Sequence, residues 1–335
     1  MTRPFHPALG RRAALGLGLG LALPGLARAQ ATAPLSFQLS WIRSIQYGGY
    51  FSGVEQGAYA RRGIEPTFVS GGPNIDPVAN VAAGRSQLGD RPIGPLLIAR
   101  DRGIPIKIIA TVFQRSPFSI MSLAEKPIRT IRELEGKTIA VGTSNRPLVQ
   151  NLVREAGLDP RSVNMVPSAP DPAALVAGQI DAYSGYSTNQ GVILQQRGVA
   201  LHILHVHDLG IPETAGTIYG REDFLAANRD LVVRFLRASM EGWNWAFANK
   251  EAAARMMVER QGAPGLNYEA QLTELRASEP FITAGAATGQ RLLEIDLPLY
   301  DRIITLYRNV ELIRRPMTAA ELCDPSFIQA AHAIA

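Results

Sequence analysis

Residues 35–66 read LSFQLSWIRSIQYGGYFSGVEQGAYARRGIEP. The pattern predicts a strand ending in Trp41, a short turn, a glycine-dotted helix and a second strand opening at Ile64. Tyr47, Tyr50, Phe51, Val54 and Ala58 recur at the i, i+3, i+4 spacing of one buried helix face. In open α/β sheets, ligands gather at the carboxyl ends of strands, where helix starts present free N–H groups. Trp41, Arg43, Gln46 and Tyr47 fall at such a junction, which predicts a small-molecule site with Trp41 in its wall.

Outward from this stretch, strands and helices alternate through the first two-thirds of the chain. Strands are expected over Ile64 to Val69, Gln87 to Asp90 and Ile106 to Phe113. Further strands are expected over Lys137 to Val141, Asn164 to Val166, Ile180 to Tyr183 and Leu201 to Val206. Gly71-Gly72-Pro73-Asn74 reads as a turn. Asp76 to Ala83, Ile93 to Arg102 and Leu148 to Ala156 read as helices, and the spacing points to parallel βαβ units. Thr130-Ile131-Arg132-Glu133 fits a capping box. After Pro212 the pattern turns helical, with the longest helix over Arg229 to Ala248. Asp76-Pro77 to Gly84 and Asp171-Pro172 to Gly178 echo each other as short Asp-Pro helices closed by glycine before a strand. The echo implies two lobes built on similar units.

The chain has 335 residues and is 46% hydrophobic, enough for two domains or one large one. Arg11-Arg12, an apolar run from Ala13 to Leu26 and Ala27-Arg28-Ala29 compose an export signal over residues 1–29, of twin-arginine type. Its removal takes four arginines and no acids, so the net charge falls from +5 to +1. Neither a basic run nor zinc-finger spacing remains to support nucleic-acid binding. Cys323 is the one cysteine, which excludes an intramolecular disulfide. The expectation is a soluble periplasmic protein.

The strand ending in Trp41, the Gly-Gly-Tyr-Phe helix and Arg62-Gly63-Ile64-Glu65-Pro66 resemble the ABC-transporter solute-binding proteins related to fungal thiamine-pyrimidine synthase. So do Ser70-Gly71-Gly72-Pro73-Asn74, Ile131 through Val141 and Gln179-Ile180-Asp181-Ala182-Tyr183. The resemblance covers most of the mature chain, and sulfonate, nitrate, riboflavin and pyrimidine binders share it. It implies an α/β fold of the type II periplasmic binding class, two lobes joined by two crossing segments that close by hinge motion. Phe118 to Leu123 and Thr214 to Tyr219 are the expected crossings. Residues 30–119 with 213–335 would form the large lobe, and residues 120–212 the small one. Such a protein delivers a solute to a permease with its ATPase and does no chemistry.

Several groups suit a ligand. Trp41 and Tyr47 can sandwich a planar solute. Arg91 can clamp a carboxylate, sulfonate or phosphate, and Asp90 suits the donors of an aminopyrimidine. Ser144 and Asn145, in Gly142-Thr143-Ser144-Asn145 before a helix, can present N–H groups or simply cap it. Gln114, Arg115 and Ser116 flank the first crossing, and Tyr183 and Tyr186 can form the opposing wall. His202, His205 and His207 lack a partner at zinc-like spacing, so neither a metal nor a cofactor is expected. Catalytic elbow, P-loop and His-Glu-x-x-His motifs are missing, and so is the cysteine-rich segment of the fungal synthase. A secreted hydrolase and a periplasmic sensor are the competing classes. Pro212-Glu213-Thr214-Ala215-Gly216 and Ser44-Ile45-Gln46-Tyr47 depart from the pyrimidine-binding pattern, which leaves a related heteroaromatic, a carboxylate, a sulfonate or nitrate as the alternatives.

Overall fold

The apolar runs of the sequence form ten strands among the described residues 1, 32–72, 75–143 and 145–334 of the computed structural model. In chain order these are β1 Ala33–Gln38, β2 Ile64–Val69, β3 Leu88–Arg91, β4 Ile106–Phe113, β5 Phe118–Leu123, β6 Thr138–Val141, β7 Asn164–Pro167, β8 Ala182–Tyr186, β9 Leu201–His205 and β10 Ala215–Arg221. The helices through the middle of the chain are α1 Gly48–Glu55, α2 Pro77–Ala82, α3 Ile93–Asp101, α4 Arg146–Glu155, α5 Ala173–Val176 and α6 Val192–Gln196. The C-terminal third supplies α7 Glu222–Ala227, α8 Arg229–Ala248, α9 Lys250–Met256, α10 Tyr268–Ile282, α11 Leu297–Asn309, α12 Ala319–Leu322 and α13 Ser326–Ala333. Apart from Met1, the expected export signal lies outside the described residues. No described helix is long and apolar enough to cross a membrane.

Two mixed five-stranded sheets result, in the orders β2-β1-β3-β10-β4 and β7-β6-β8-β5-β9. Each is the centre of an α/β lobe. The β1–β2 and β1–β3 pairs are parallel, as the βαβ spacing requires, but β10 runs antiparallel to both β3 and β4. The reason is the route of the chain. Strand β4 runs towards the second lobe and ends at Phe113. Strand β10 returns from that lobe, begins opposite Phe113 at Ala215, and so runs the other way. For the same reason β5 starts at the junction and is antiparallel to β8 and β9, with Phe118 opposite Tyr186 and Ser119 opposite His205.

The expected crossings are therefore corrected. Phe118 to Leu123 is an interior strand of the second sheet, and Thr214 to Tyr219 lies largely in β10 of the first. The chain passes between the sheets at 114–117 and again over 206–214. The capping box expected at Thr130 does not form. Thr130 makes no cap bond, and Glu133 instead accepts from the Arg129 amide at 2.9 Å. The Asp-Pro echo is structural. Asp76 accepts from the Val78 and Ala79 amides, Asp171 accepts from the Ala173 amide, and Gly84 and Gly178 close the two turns at positive φ.

The opening stretch forms the heart of the first lobe, with two differences from its expected form. Tyr47 belongs to a short 3-10 turn over Ile45–Tyr47, and the α-helix proper is Gly48–Glu55. Val54, expected on the buried face, is 37% exposed. Tyr50 and Phe51 are buried as expected, within an aromatic cluster with Phe37, Phe68, Phe235 and Trp243. Helix α8 lies directly on α1, and glycines set the distance. A Cβ at Gly242 would stand 1.9 Å from the Gly49 carbonyl oxygen and 2.6 Å from the Gly53 nitrogen. Only a bare backbone at Gly242 permits the contact.

Candidate functional site

A cleft lies where the two sheets meet. Its walls are strand ends. Ser40 and Trp41 follow β1, Gly72 follows β2 and Pro92 follows β3. From the second lobe, Gly142, Thr143 and Asn145 follow β6 and Ser168 follows β7. Tyr183 through Tyr186 come from β8, and Gln46 and Gln190 complete the lining. The arrangement follows from the two sheets pointing the carboxyl ends of their parallel strands at each other.

Among the residues expected in the site, the structure brings Trp41, Asn145, Tyr183 and Tyr186 together around this cleft. Trp41 is half-buried, packed on the first-lobe core. Tyr47 and Asp90 stand behind the wall. The Tyr47 hydroxyl accepts from the Trp41 amide at 2.9 Å and from Gln46 Nε2 at 3.1 Å, and lies 3.0 Å from Ser40 Oγ. The Asp90 carboxylate accepts from the Ser40 amide at 2.9 Å and from Ser40 Oγ at 3.3 Å. Tyr47 therefore fixes the Trp41 backbone while its ring remains 2% exposed. Burial pushes the Asp90 carboxyl up to about 7, against the two Ser40 donors and the Arg91 charge.

Arg91 takes another direction. Successive strand residues point to opposite faces, and Arg91 Nη1 pairs with Asp76 Oδ1 at 2.6 Å, the carboxylate that also caps α2. Gln114 and Ser116 belong to the passage between lobes and do not line the cleft. Gln114 Nε2 donates to the Glu294 carbonyl at 3.2 Å, and Ser116 Oγ accepts from the Phe118 amide at 3.2 Å. Ser144 lies outside the described residues. Asn145 makes no side-chain cap bond to α4, so its amide is not engaged at the helix start.

On the second lobe, Tyr183 donates to the Ala169 carbonyl, and burial raises its hydroxyl to about 12. Tyr186 packs edge-on against Phe113, 5.7 Å between centroids. Burial, with the carboxylates of Asp90 and Glu213 nearby, pushes its hydroxyl well up as well. Glu213 lies in the second passage, is 6% exposed and is pushed up to about 8 by burial alone, offset only by the Thr214 amide. Among the described lining residues none is Lys, Arg or His.

His205 and His207 do face one another, 5.0 Å between rings, but His205 Nδ1 bonds Ser119 Oγ at 2.8 Å and both rings pack on Phe281. Among the described residues, no group of three or more His, Cys, Asp and Glu is placed to hold a metal ion.

Sequence reasoning missed Ser40, Pro92, Ser168, Ser184, Gly185 and Gln190. A strict strand-end rule would have found Pro92 and Ser168, which directly follow β3 and β7. Gln190 carries no such signal. It lies in a π-helical turn, Ser187–Gly191, that folds it back over the end of β8.

The model of the NMT1/THI5-like family matches residues 44–253, and the chain belongs to that family. It is 25% identical to the riboflavin-binding protein RibY of Chloroflexus aurantiacus over 88% of this chain and 86% of that one. It is 24% identical to the formylaminopyrimidine-binding protein of Halalkalibacterium halodurans, over 69% and 72%. Enzymes named 4-amino-5-hydroxymethyl-2-methylpyrimidine phosphate synthase are also among its relatives. In fold, it superposes on a putative periplasmic sulfonate-binding protein SsuA of Methylobacillus flagellatus KT with a TM-score of 0.63. That match has 19% identity and covers 91% of this chain and 95% of the other. The periplasmic-binding-protein fold is thereby shown.

Proposed function

We propose that this NMT1/THI5-like chain is the periplasmic solute-binding component of an ABC importer, taking an uncharged, planar heteroaromatic solute of riboflavin or pyrimidine type. The observation that carries the reading is the cleft lining. Trp41, Tyr183 and Tyr186 supply aromatic surface, and Ser, Thr, Asn and Gln groups supply neutral donors and acceptors. No basic side chain is among the described lining residues. A flat heterocycle gains from aromatic faces and from amide-like partners at its edge. A sulfonate, nitrate or carboxylate would enter with a full negative charge and meet no basic side chain among the described lining residues.

Residues 30–119 with 213–335, and residues 120–212, are proposed as lobes that close over the solute by hinge motion at 114–117 and 206–214. Phe118 and Ser119 already pair in the second sheet, which draws the first limit back into the 114–117 passage. The sequence of residues 1–29 supports export by the twin-arginine route, with a membrane permease and its ATPase as partners. Riboflavin and pyrimidine binding by the two relatives above supports the solute class.

The test is a thermal-shift panel on the mature protein containing riboflavin, 4-amino-5-hydroxymethyl-2-methylpyrimidine, taurine and an alkanesulfonate. A true solute at 100 times its Kd adds about 2.7 kcal/mol of stability, and it is recovered unchanged after incubation. A shift with sulfonates and none with heterocycles overturns the proposed solute class. Conversion of the bound solute overturns the transport role.

A further inference from the structure

Helix α10 belongs to the first lobe by its packing on α8, α9 and β4, yet it also touches the π-turn and α6 of the second. Two buried residues one turn apart on it reach in different directions. Gln271, 4% exposed, accepts from the Ile45 amide through Oε1 at 2.7 Å. That bond holds the start of the 3-10 turn carrying Gln46 and Tyr47, and Tyr47 in turn holds the Trp41 backbone. Glu274, 2% exposed, accepts from Asn189 Nδ2 through Oε2 at 2.7 Å. Asn189 Oδ1 then accepts from Gln190 Nε2 at 2.6 Å, and Gln190 Oε1 accepts from the Tyr186 amide at 3.0 Å.

Gln190 and Tyr186 line the second-lobe wall, and Trp41 and Gln46 the first. Neither Gln271 nor Glu274 lines the cleft. Each amide in the Glu274 chain has its orientation set by the next: burial raises the Glu274 carboxyl to about 8, and its Oε2, as the carbonyl oxygen of the acid, accepts from the NH2 group of Asn189. Asn189 must then offer its oxygen to Gln190, and Gln190 must offer its own to Tyr186. The side chain of Gln190 is also seated where only glycine allows it, since a Cβ at Gly185 would stand 2.6 Å from Gln190 Oε1. The second Glu274 oxygen has no hydrogen-bond partner among the described residues, so Asn189 is the one direct anchor of this buried group.

We infer that α10 braces both cleft walls from behind, with Gln271 and Glu274 as positioning residues that set the donor and acceptor pattern met by the solute without touching it. The brace gives one rigid helix a hold on each lobe and so fixes the register of the two walls in this arrangement of the lobes. Its effect on affinity rests on the solute-binding reading, whereas its effect on the wall side chains does not.

The experiment uses the mature protein labelled with nitrogen-15 and compares Glu274→Met, Glu274→Gln and Gln271→Met with wild type. Glu274→Met is expected to shift the side-chain NH2 resonances of Gln190 and speed their exchange with solvent. Glu274→Gln, which keeps an accepting oxygen for Asn189, restores the wild-type pattern. Gln271→Met shifts the Gln46 side-chain resonances and leaves those of Gln190 alone. Riboflavin is the binding probe, followed by quenching of its fluorescence, and each Met variant should weaken it at least about tenfold while Glu274→Gln stays within about threefold. If Glu274→Met does not fold, Asn189→Ala takes its place and must move the same Gln190 resonances. Gln190 resonances unmoved by either variant overturn the brace. Failure of wild-type protein to bind riboflavin, with the resonance pattern as expected, overturns that solute and supports the brace.

Discussion

Replacing Gly242 by alanine adds one methyl group at the point where α8 crosses α1. The new Cβ would lie 1.9 Å from the Gly49 carbonyl oxygen and 2.6 Å from the Gly53 nitrogen, and both are backbone atoms that no rotamer change can remove. Ordinary contact begins near 3.4 Å, so the helices must separate by about 1.5 Å. A gap of half to one ångström already forfeits a quarter to a half of each atom pair's attraction. The interface behind this crossing contains Tyr50, Phe51, Tyr59 and Trp243, all fully buried or nearly so. Overpacking of a filled core costs about 1–3 kcal/mol, more when backbone rather than side chain blocks relief. The expected loss is therefore about 3 kcal/mol. The assay is equilibrium urea unfolding of the mature protein, with Gly72→Ala as control, since a Cβ there meets nothing within 4 Å. A midpoint shift of roughly 1 M or more is expected for Gly242→Ala. A loss below about 1 kcal/mol, with Gly72→Ala unchanged, refutes the view that bare backbone sets the α1–α8 distance and through it the seat of the Trp41 turn.

Two further outcomes follow from the site. Trp41→Ala removes the half-buried indole from the first-lobe wall, and riboflavin, a solute of the proposed class, should lose about tenfold or more in affinity by titration calorimetry. Unchanged affinity would take Trp41 out of the site. Glu213 carries a carboxyl raised to about 8 by burial, so the folded state holds a proton that the unfolded chain releases from about 4.5 upward. Its contribution is intact below pH 4.5, falls as pH rises, and is lost once the folded group ionises near 8. Glu213→Gln should then match wild type near pH 4.5 and exceed it by roughly 2–4 kcal/mol at pH 8.5 in urea unfolding. An equal pH dependence in both proteins would place the buried proton elsewhere.

The alternation of apolar runs was enough to show the α/β class and the position of most elements, and the Asp-Pro echo added to it pointed to two lobes. Strand β2 and helix α8 have the limits that local pattern predicts, Ile64–Val69 and Arg229–Ala248. These are local properties, since a period of 2 or 3.6 records which face is buried. The strand–helix junction at Trp41 was legible for the same reason. Strand direction was not. The place of β10 between β3 and β4 depends on where the chain returns from the second lobe, a fact held by no window of sequence.

The same limit applied to the site. Strand-end position singled out Trp41, Asn145, Tyr183 and Tyr186, which do face the cleft. It cannot separate the front of a wall from its back, and Tyr47 and Asp90, which share that position, bond instead to Ser40 and the Trp41 backbone. Nor does it tell an anion clamp from a structural ion pair, and Arg91 pairs with Asp76 on the opposite face of β3. Gln190 and its support from Glu274 join residues 84 positions apart. Side-chain direction and long-range hydrogen bonding exist only after the sheets meet, and for this protein they decide what the cleft presents to a solute.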